Sequence, residues 1–192
     1  MALGFYFDMT SCIGCKACQM SCKDKNDLDL GTLYRNVKGY EVGSFPMPGL
    51  FYLSNTCNHC ENPACVAICP TGAMYKTEDG VVLHDDDMCI GCQACANACP
   101  YMVPKYNAEK NIVNKCDSCV GIRANGGQPK CDASCVMRAL EFGDMDELKA
   151  KHPDAVSIAE LPIMPEGCAA TGPNTIVSAK SIVSADAVEK FF

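Results

Sequence analysis

The chain has 192 residues, 17 of them cysteine, with 7 Phe, 7 Tyr and no Trp. Lys+Arg 16 against Asp+Glu 23 leaves a formal charge of −7 and a pI near 4.9, which excludes the basic face of a nucleic-acid module. No run reaches the roughly 18 apolar residues of a membrane span, and ordinary core-forming residues are thin for the length, so something besides side-chain packing organises the interior.

The first eight residues carry neither the basic start and long apolar stretch of a signal peptide nor a twin-arginine pair. Residues 4–9 predict a short strand entering a loop that holds Cys12, Cys15, Cys18 and Cys22, spaced C-x2-C-x2-C-x3-C. A second strand over residues 51–54 leads to Cys57, Cys60, Cys65 and Cys69, spaced C-x2-C-x4-C-x3-C and followed by Pro70. Residues 73–76 and 81–84 predict a hairpin turning at Asp79-Gly80. Cys89, Cys92, Cys95 and Cys99 repeat the first spacing and end in Pro100. Another hairpin is expected from residues 104–106 and 112–114. Cys116, Cys119, Cys131 and Cys135 follow, with eleven residues between the second and third. After three of the x3 gaps the chain runs into an apolar, extended stretch, a faint internal repeat.

Residues 144–151 predict a short surface helix with acids at its start and lysines at its end. Beyond Pro153 the composition turns to Pro, Ala, Ser and Thr. Residues 153–192 are therefore expected to form an extended tail lying on a surface such as a partner subunit, with disorder as the alternative. Cys168 matches no motif and reads as a free loop thiol.

Sixteen of the 17 cysteines thus fall into four groups of four. Disulfides suit small secreted chains, and zinc sites take separated C-x2-C pairs, not runs of three closed by C-x3-C. Three thiolates two residues apart instead wrap one loop around three corners of an iron–sulfur cube. In the bacterial two-cluster ferredoxin pattern the cysteine after the x3 gap ligates the other cluster. Sixteen ligands at four per cube imply four [4Fe–4S] clusters. The second and third groups are close and should exchange their last cysteines, giving Cys57, Cys60, Cys65 and Cys99, then Cys69, Cys89, Cys92 and Cys95. The first and fourth would give Cys12, Cys15, Cys18 and Cys135, then Cys22, Cys116, Cys119 and Cys131. Parallel pairing of first with second and third with fourth is the competitor, and spacing leaves it open.

The fold class that follows is α+β, with two nested bacterial-ferredoxin-like modules built from short hairpins and helices. Residues 1–50 and 104–152 form the outer module, residues 51–103 the inserted one. Gly14 and Gly91 sit in Cys-Ile-Gly-Cys turns where a positive φ lets backbone N–H groups point at cluster sulfur. Ile13 and Ile90 are expected to shield the cubes from water. Lys16, Lys115, Arg123 and Lys130 lie close to ligands and could offset cluster charge, with Lys16 and Lys130 better read as solvated. His59 is a metal ligand by residue type alone. No nucleophile–base set, phosphate loop or carboxylate pair stands out, so no catalytic residue is assigned.

The cysteine groups, with Asn114-Lys115-Cys116-Asp117 and residues 138–143, resemble the four-cluster iron–sulfur subunit of the molybdopterin oxidoreductases, above all that of the dimethyl sulfoxide reductases. The resemblance implies an electron wire between a donor, either a quinol-linked membrane anchor or a soluble carrier, and a catalytic subunit holding a molybdenum or tungsten bis-pterin. It implies an order that starts at the Cys12 cluster nearest that subunit, passes the Cys22 and Cys57 clusters, and ends at the Cys69 cluster facing the donor. Cys92 argues for four irons there, where some relatives hold three. A chain without its own signal fits either transport to the outer membrane face with a twin-arginine partner or a cytoplasmic complex. A standalone iron–sulfur enzyme and a zinc-stabilised interaction module are the other two readings.

Overall fold

In a computed structural model, which describes residues 2–190, the chain is a mixed α and β protein of short elements. Strand β1 (Leu3–Asp8) lies where a strand was expected. Phe5 and Phe7 face the cysteine-rich core, whereas Tyr6 packs with Met145, Leu148 and Ile176 on the opposite side. A strand covered on both faces needs such an unbroken apolar run. Helix α1 (Ala17–Lys25) leaves the first cysteine loop through Lys16. Strands β2 (Asn36–Val42) and β3 (Gly49–Asn55) then pair antiparallel along their whole length.

Short helices α2 (Ala64–Ala67) and α3 (Ala94–Ala98) carry the middle cysteines. Between them lies the hairpin of β4 (Met74–Lys76) and β5 (Val82–His84), and after them that of β6 (Lys105–Asn107) and β7 (Ile112–Asn114), both as expected. Helices α4 (Val120–Arg123) and α5 (Lys130–Ala133) hold the last group. Strand β8 (Leu140–Asp144) returns antiparallel to β1. The predicted surface helix is α6 (Met145–Lys151). It starts one residue later than the acidic pattern suggested because Asp144 is its cap, accepting from the amides of Asp146 at 2.9 Å and Glu147 at 3.2 Å.

Two expectations are corrected. Residues 153–190 are not a separate tail. Strands β9 (Val156–Ser157) and β10 (Thr175–Ser178) complete a four-stranded sheet in the order β8-β1-β10-β9. The reason is the second edge of β1, whose backbone donors and acceptors β10 satisfies in parallel, Phe5 opposite Thr175 and Asp8 opposite Ser178. A parallel neighbour requires a long crossover, and the whole chain between β1 and β10 supplies it. Cys168 is a free thiol, as expected, and it is buried in a 3-10 turn over Cys168–Thr171. Strand β11 (Val188–Lys190) pairs on β2 at the edge of a second sheet. The other correction concerns residue 51, the expected boundary of the inserted module, which falls inside β3 and its pairing with β2. Phe5, Phe51, Cys57, Tyr101 and Cys116 share one core, so both cysteine pairs use a common interior. Met1, Phe191 and Phe192, the outermost residues of the expected outer module and tail, lie outside the described residues.

The sheet position of β10 makes a prediction. Val177→Asp places a carboxylate at a fully buried site and should destabilise the fold by about 3 kcal/mol or more, read as loss of soluble protein and of bound iron. Val188→Asp, on the exposed edge strand, should leave both unchanged.

Candidate metal centres

The cysteine loops curl because several residues beside the thiols adopt left-handed backbone: Lys16 at φ 61°, Gln93 at φ 60° and Cys119 at φ 53°. Gly14 and Gly91 both lie at φ 69°. A Cβ on Gly14 would meet the Tyr52 ring at 2.4 Å, and one on Gly91 the Asn111 carbonyl at 2.5 Å, so both turns need glycine twice over. Burial raises the Cys12 thiol, and a backbone hydrogen bond from Gly14 opposes that rise.

Three cavities are each lined by four thiols. One holds Cys12, Cys15, Cys18 and Cys135. Another holds Cys57, Cys60, Cys65 and Cys99. A third holds Cys69, Cys89, Cys92 and Cys95. Each draws its thiols from two different sequence groups. Cys22, Cys116, Cys119 and Cys131 are all buried, and burial, followed by the neighbouring Cys116 thiol, pushes Cys22 up to about 12, with Cys131 and Cys119 adding and Arg35 opposing. Burial likewise drives Cys65 to about 12 and Cys60 to about 11, with Cys57 and Cys99 reinforcing both. Crowded thiols of this kind resist becoming four bare thiolates. A cationic metal core among them removes that resistance, since coordination stabilises the deprotonated form outright. The donor sets therefore fit a polynuclear iron core. Among the described residues, no three His, Cys, Asp or Glu groups converge closely enough for one metal ion.

Backbone donors surround the sulfurs. The amide of Ser118 donates to Cys116 Sγ at 3.3 Å, that of Ala139 to Cys135 Sγ at 3.2 Å and that of Val113 to Cys89 Sγ at 3.5 Å. Lys115 is buried and donates to the carbonyl of Cys116 at 3.0 Å and to that of Val82, beside the Cys57 cavity. Arg123 is spent on Ser118, at 3.0 Å to its carbonyl and 2.9 Å to its hydroxyl. Lys130 is exposed, and Lys16 half-buried. Ile13 and Ile90 line their cavities but are 55% and 59% exposed, so neither seals its cavity without a further surface against it.

His59 takes a different part from the one its residue type suggested. Its ring is fully buried, and its Nδ1 accepts from the Val82 amide at 3.1 Å. Burial holds its pKa below the ordinary value, so the ring is neutral and carries its proton on Nε2, 4.0 Å from Cys116 Sγ. A residue of the second cysteine group thus donates to a thiol of the fourth. Arg35 had no motif to announce it. It is buried within electrostatic reach of Cys131, Cys18, Cys116 and Cys22, and in sequence it stands just before β2, whose mixed residues Asn36, Lys38 and Glu41 do not single it out.

A family model described as a 4Fe-4S dicluster domain matches residues 49–145, and one described as a 4Fe-4S binding domain matches residues 9–27. These place the chain among the iron–sulfur proteins with paired four-iron motifs. Its relatives include two proteins of Escherichia coli K12, the probable anaerobic dimethyl sulfoxide reductase component YnfG and the B subunit of anaerobic dimethyl sulfoxide reductase. Each is 46% identical over 83% of this chain and 82% of the relative. The thiosulfate reductase electron transfer subunit PhsB of Salmonella typhi is 39% identical over 73% of this chain and 74% of its own. The chain belongs to the family of iron–sulfur electron-transfer subunits that serve dimethyl sulfoxide reductase and related oxidoreductases. No helix among the described residues is long and apolar enough to cross a membrane.

Removing the His59 donor should lower one potential. His59→Leu is expected to shift downward, by on the order of 60 mV, the EPR signal that Cys116→Ser also perturbs. That is the one-electron equivalent of about 1.4 kcal/mol. Redox titration of the iron-loaded chain checks it.

Proposed function

We propose that the chain relays single electrons through four [4Fe–4S] clusters between a donor and a molybdopterin catalytic subunit. The observation that carries this reading is the lining of the cavities, four thiols in each, drawn from groups one with four and two with three. The nested ligand sets accordingly are Cys12, Cys15, Cys18 and Cys135; Cys22, Cys116, Cys119 and Cys131; Cys57, Cys60, Cys65 and Cys99; Cys69, Cys89, Cys92 and Cys95. Parallel pairing draws no support from these cavities. Each cube, when bound, accepts and passes one electron. The chain's residues position the thiols, donate hydrogen bonds to them and keep the inner sites dry.

Two terminal sites reach the surface, at the exposed thiols of Cys15 and Cys92. The four thiols of the Cys22 set are buried. That arrangement suits a wire with two ends, each rimmed by an exposed isoleucine that a docked partner would cover. In keeping with the order implied by the family resemblance, the Cys15 end faces the catalytic subunit and the Cys92 end a membrane anchor or soluble donor. The complex then sits either at the outer membrane face or in the cytoplasm.

Metal analysis and spectroscopy test this together. Anaerobically prepared chain should be brown, bleach with dithionite and contain roughly 16 iron and 16 sulfide; a colourless chain with about four zinc overturns the reading. Cys22→Ser and Cys116→Ser should alter the same EPR signal, and two different altered signals would refute the nested pairing.

A further inference from the structure

Arg35 is 1% exposed, among the most completely enclosed large side chains of the protein. Its Nη1 donates to the Ser54 carbonyl at 3.2 Å and to the Ser54 hydroxyl at 2.9 Å. Because that hydroxyl accepts from Arg35, its own proton is free for Cys18 Sγ, 3.5 Å away. The guanidinium lies over the Phe5 ring, 4.7 Å from its centroid. None of the ion pairs among the described residues involves it. Among the described residues, its Nε and Nη2 also lack hydrogen-bond partners.

An enclosed cation outside every ion pair and without full hydrogen bonding is strongly disfavoured unless nearby anions compensate it. The Asp132 carboxylate lies within its electrostatic reach, and so do thiols of two separate sets. Burial works against its charge, yet Cys131, Cys18, Cys116 and Cys22 hold its proton affinity above the ordinary value. A four-thiolate iron–sulfur site is anionic and gains one more negative charge on reduction, so a fixed cation beside it favours the reduced form. Arginine suits such a position because it stays charged when buried.

We infer that Arg35 is the shared charge-balancing residue of the Cys12–Cys135 and Cys22–Cys131 sets, raising the reduction potential of both and making these two centres the electron-accepting half of the wire. This rests on the nested ligand sets proposed above. The cation serves two centres at once. One it reaches through Ser54 and Cys18, and the thiols of the other, Cys22, Cys116 and Cys131, lie within its electrostatic reach. Reduction of either centre raises the electrostatic value of the same guanidinium.

The test uses the full chain loaded anaerobically with iron and sulfide, its EPR signals assigned by Cys18→Ser and Cys131→Ser. Arg35→Gln and Arg35→Met should weaken electron uptake at both assigned centres at least tenfold, a downward shift of at least 59 mV for a one-electron couple. The centres of the Cys57 and Cys69 sets should hold their potentials, and Arg35→Lys should recover at least half of the loss. Should the neutral variants instead shed the Cys12 and Cys22 centres while keeping the Cys57 and Cys69 centres, with Arg35→Lys loading fully, the charge is again what matters. Unmoved potentials of the Cys12 and Cys22 centres in the neutral variants, or Arg35→Lys behaving like Arg35→Gln, overturn the inference. Wild-type chain that binds far fewer than about 16 iron defeats the four-cluster reading instead, so the two failures are distinguishable.

Discussion

What this structure rests on is the enclosure of cysteine thiols, whose burial, reinforced by neighbouring sulfur, opposes the thiolate form. Burial and neighbouring sulfur lift the Cys22 and Cys65 thiols to about 12 and Cys60 to about 11, far from any state in which sulfur binds metal. A multivalent core reverses that balance, because each sulfur it ligates becomes anionic at no cost in repulsion. The fold then makes sense as a scaffold for sulfur. Its helices are short, most of its strands have three to seven residues, and half-buried or buried cysteine stands where a conventional core would place leucine.

The polar residues inside follow from the same constraint. Amides of Ser118, Ala139 and Val113 and the imidazole of His59 turn toward sulfur, and the cation of Arg35 binds Ser54, whose hydroxyl lies 3.5 Å from Cys18 Sγ. An interior built on anionic groups needs donors and positive charge, where an aliphatic core tolerates neither without a partner. His59 also ties the two cysteine pairs to each other, as does the shared core around Phe5 and Phe51. The two halves of the duplicated pattern therefore behave as one folding unit, not as beads on a string.

Exposure differs from thiol to thiol. Cys15 and Cys92 are exposed beside Ile13 and Ile90, whereas Cys22, Cys116, Cys119 and Cys131 are buried. Isoleucines that line a cavity yet remain more than half exposed are costly in isolation and natural at a contact, where a partner removes both apolar area and water from the centre. Kinship with subunits of multi-protein reductases agrees with that geometry.

Cysteine spacing, the Asp-Gly hairpin, the glycines at φ 69° and the short helix near residues 144–151, though not its Asp144 cap, were legible along the chain, because each depends on neighbours a few residues apart. Local chemistry suffices for a loop, a turn or a cap. Thr175–Ser178 was not legible as a strand: four residues in a Pro- and Ala-rich stretch carry too little pattern, and only the vacant edge of β1 gives them a partner. Arg35 and His59 were equally hidden in their roles. Their meaning lies in which sulfur atoms surround them, and those come from groups 13 to 96 residues away from Arg35, brought together by closure of the whole chain. The amino-acid order sets which atoms can hold metal; folding alone selects which of them meet, and what charge stands between.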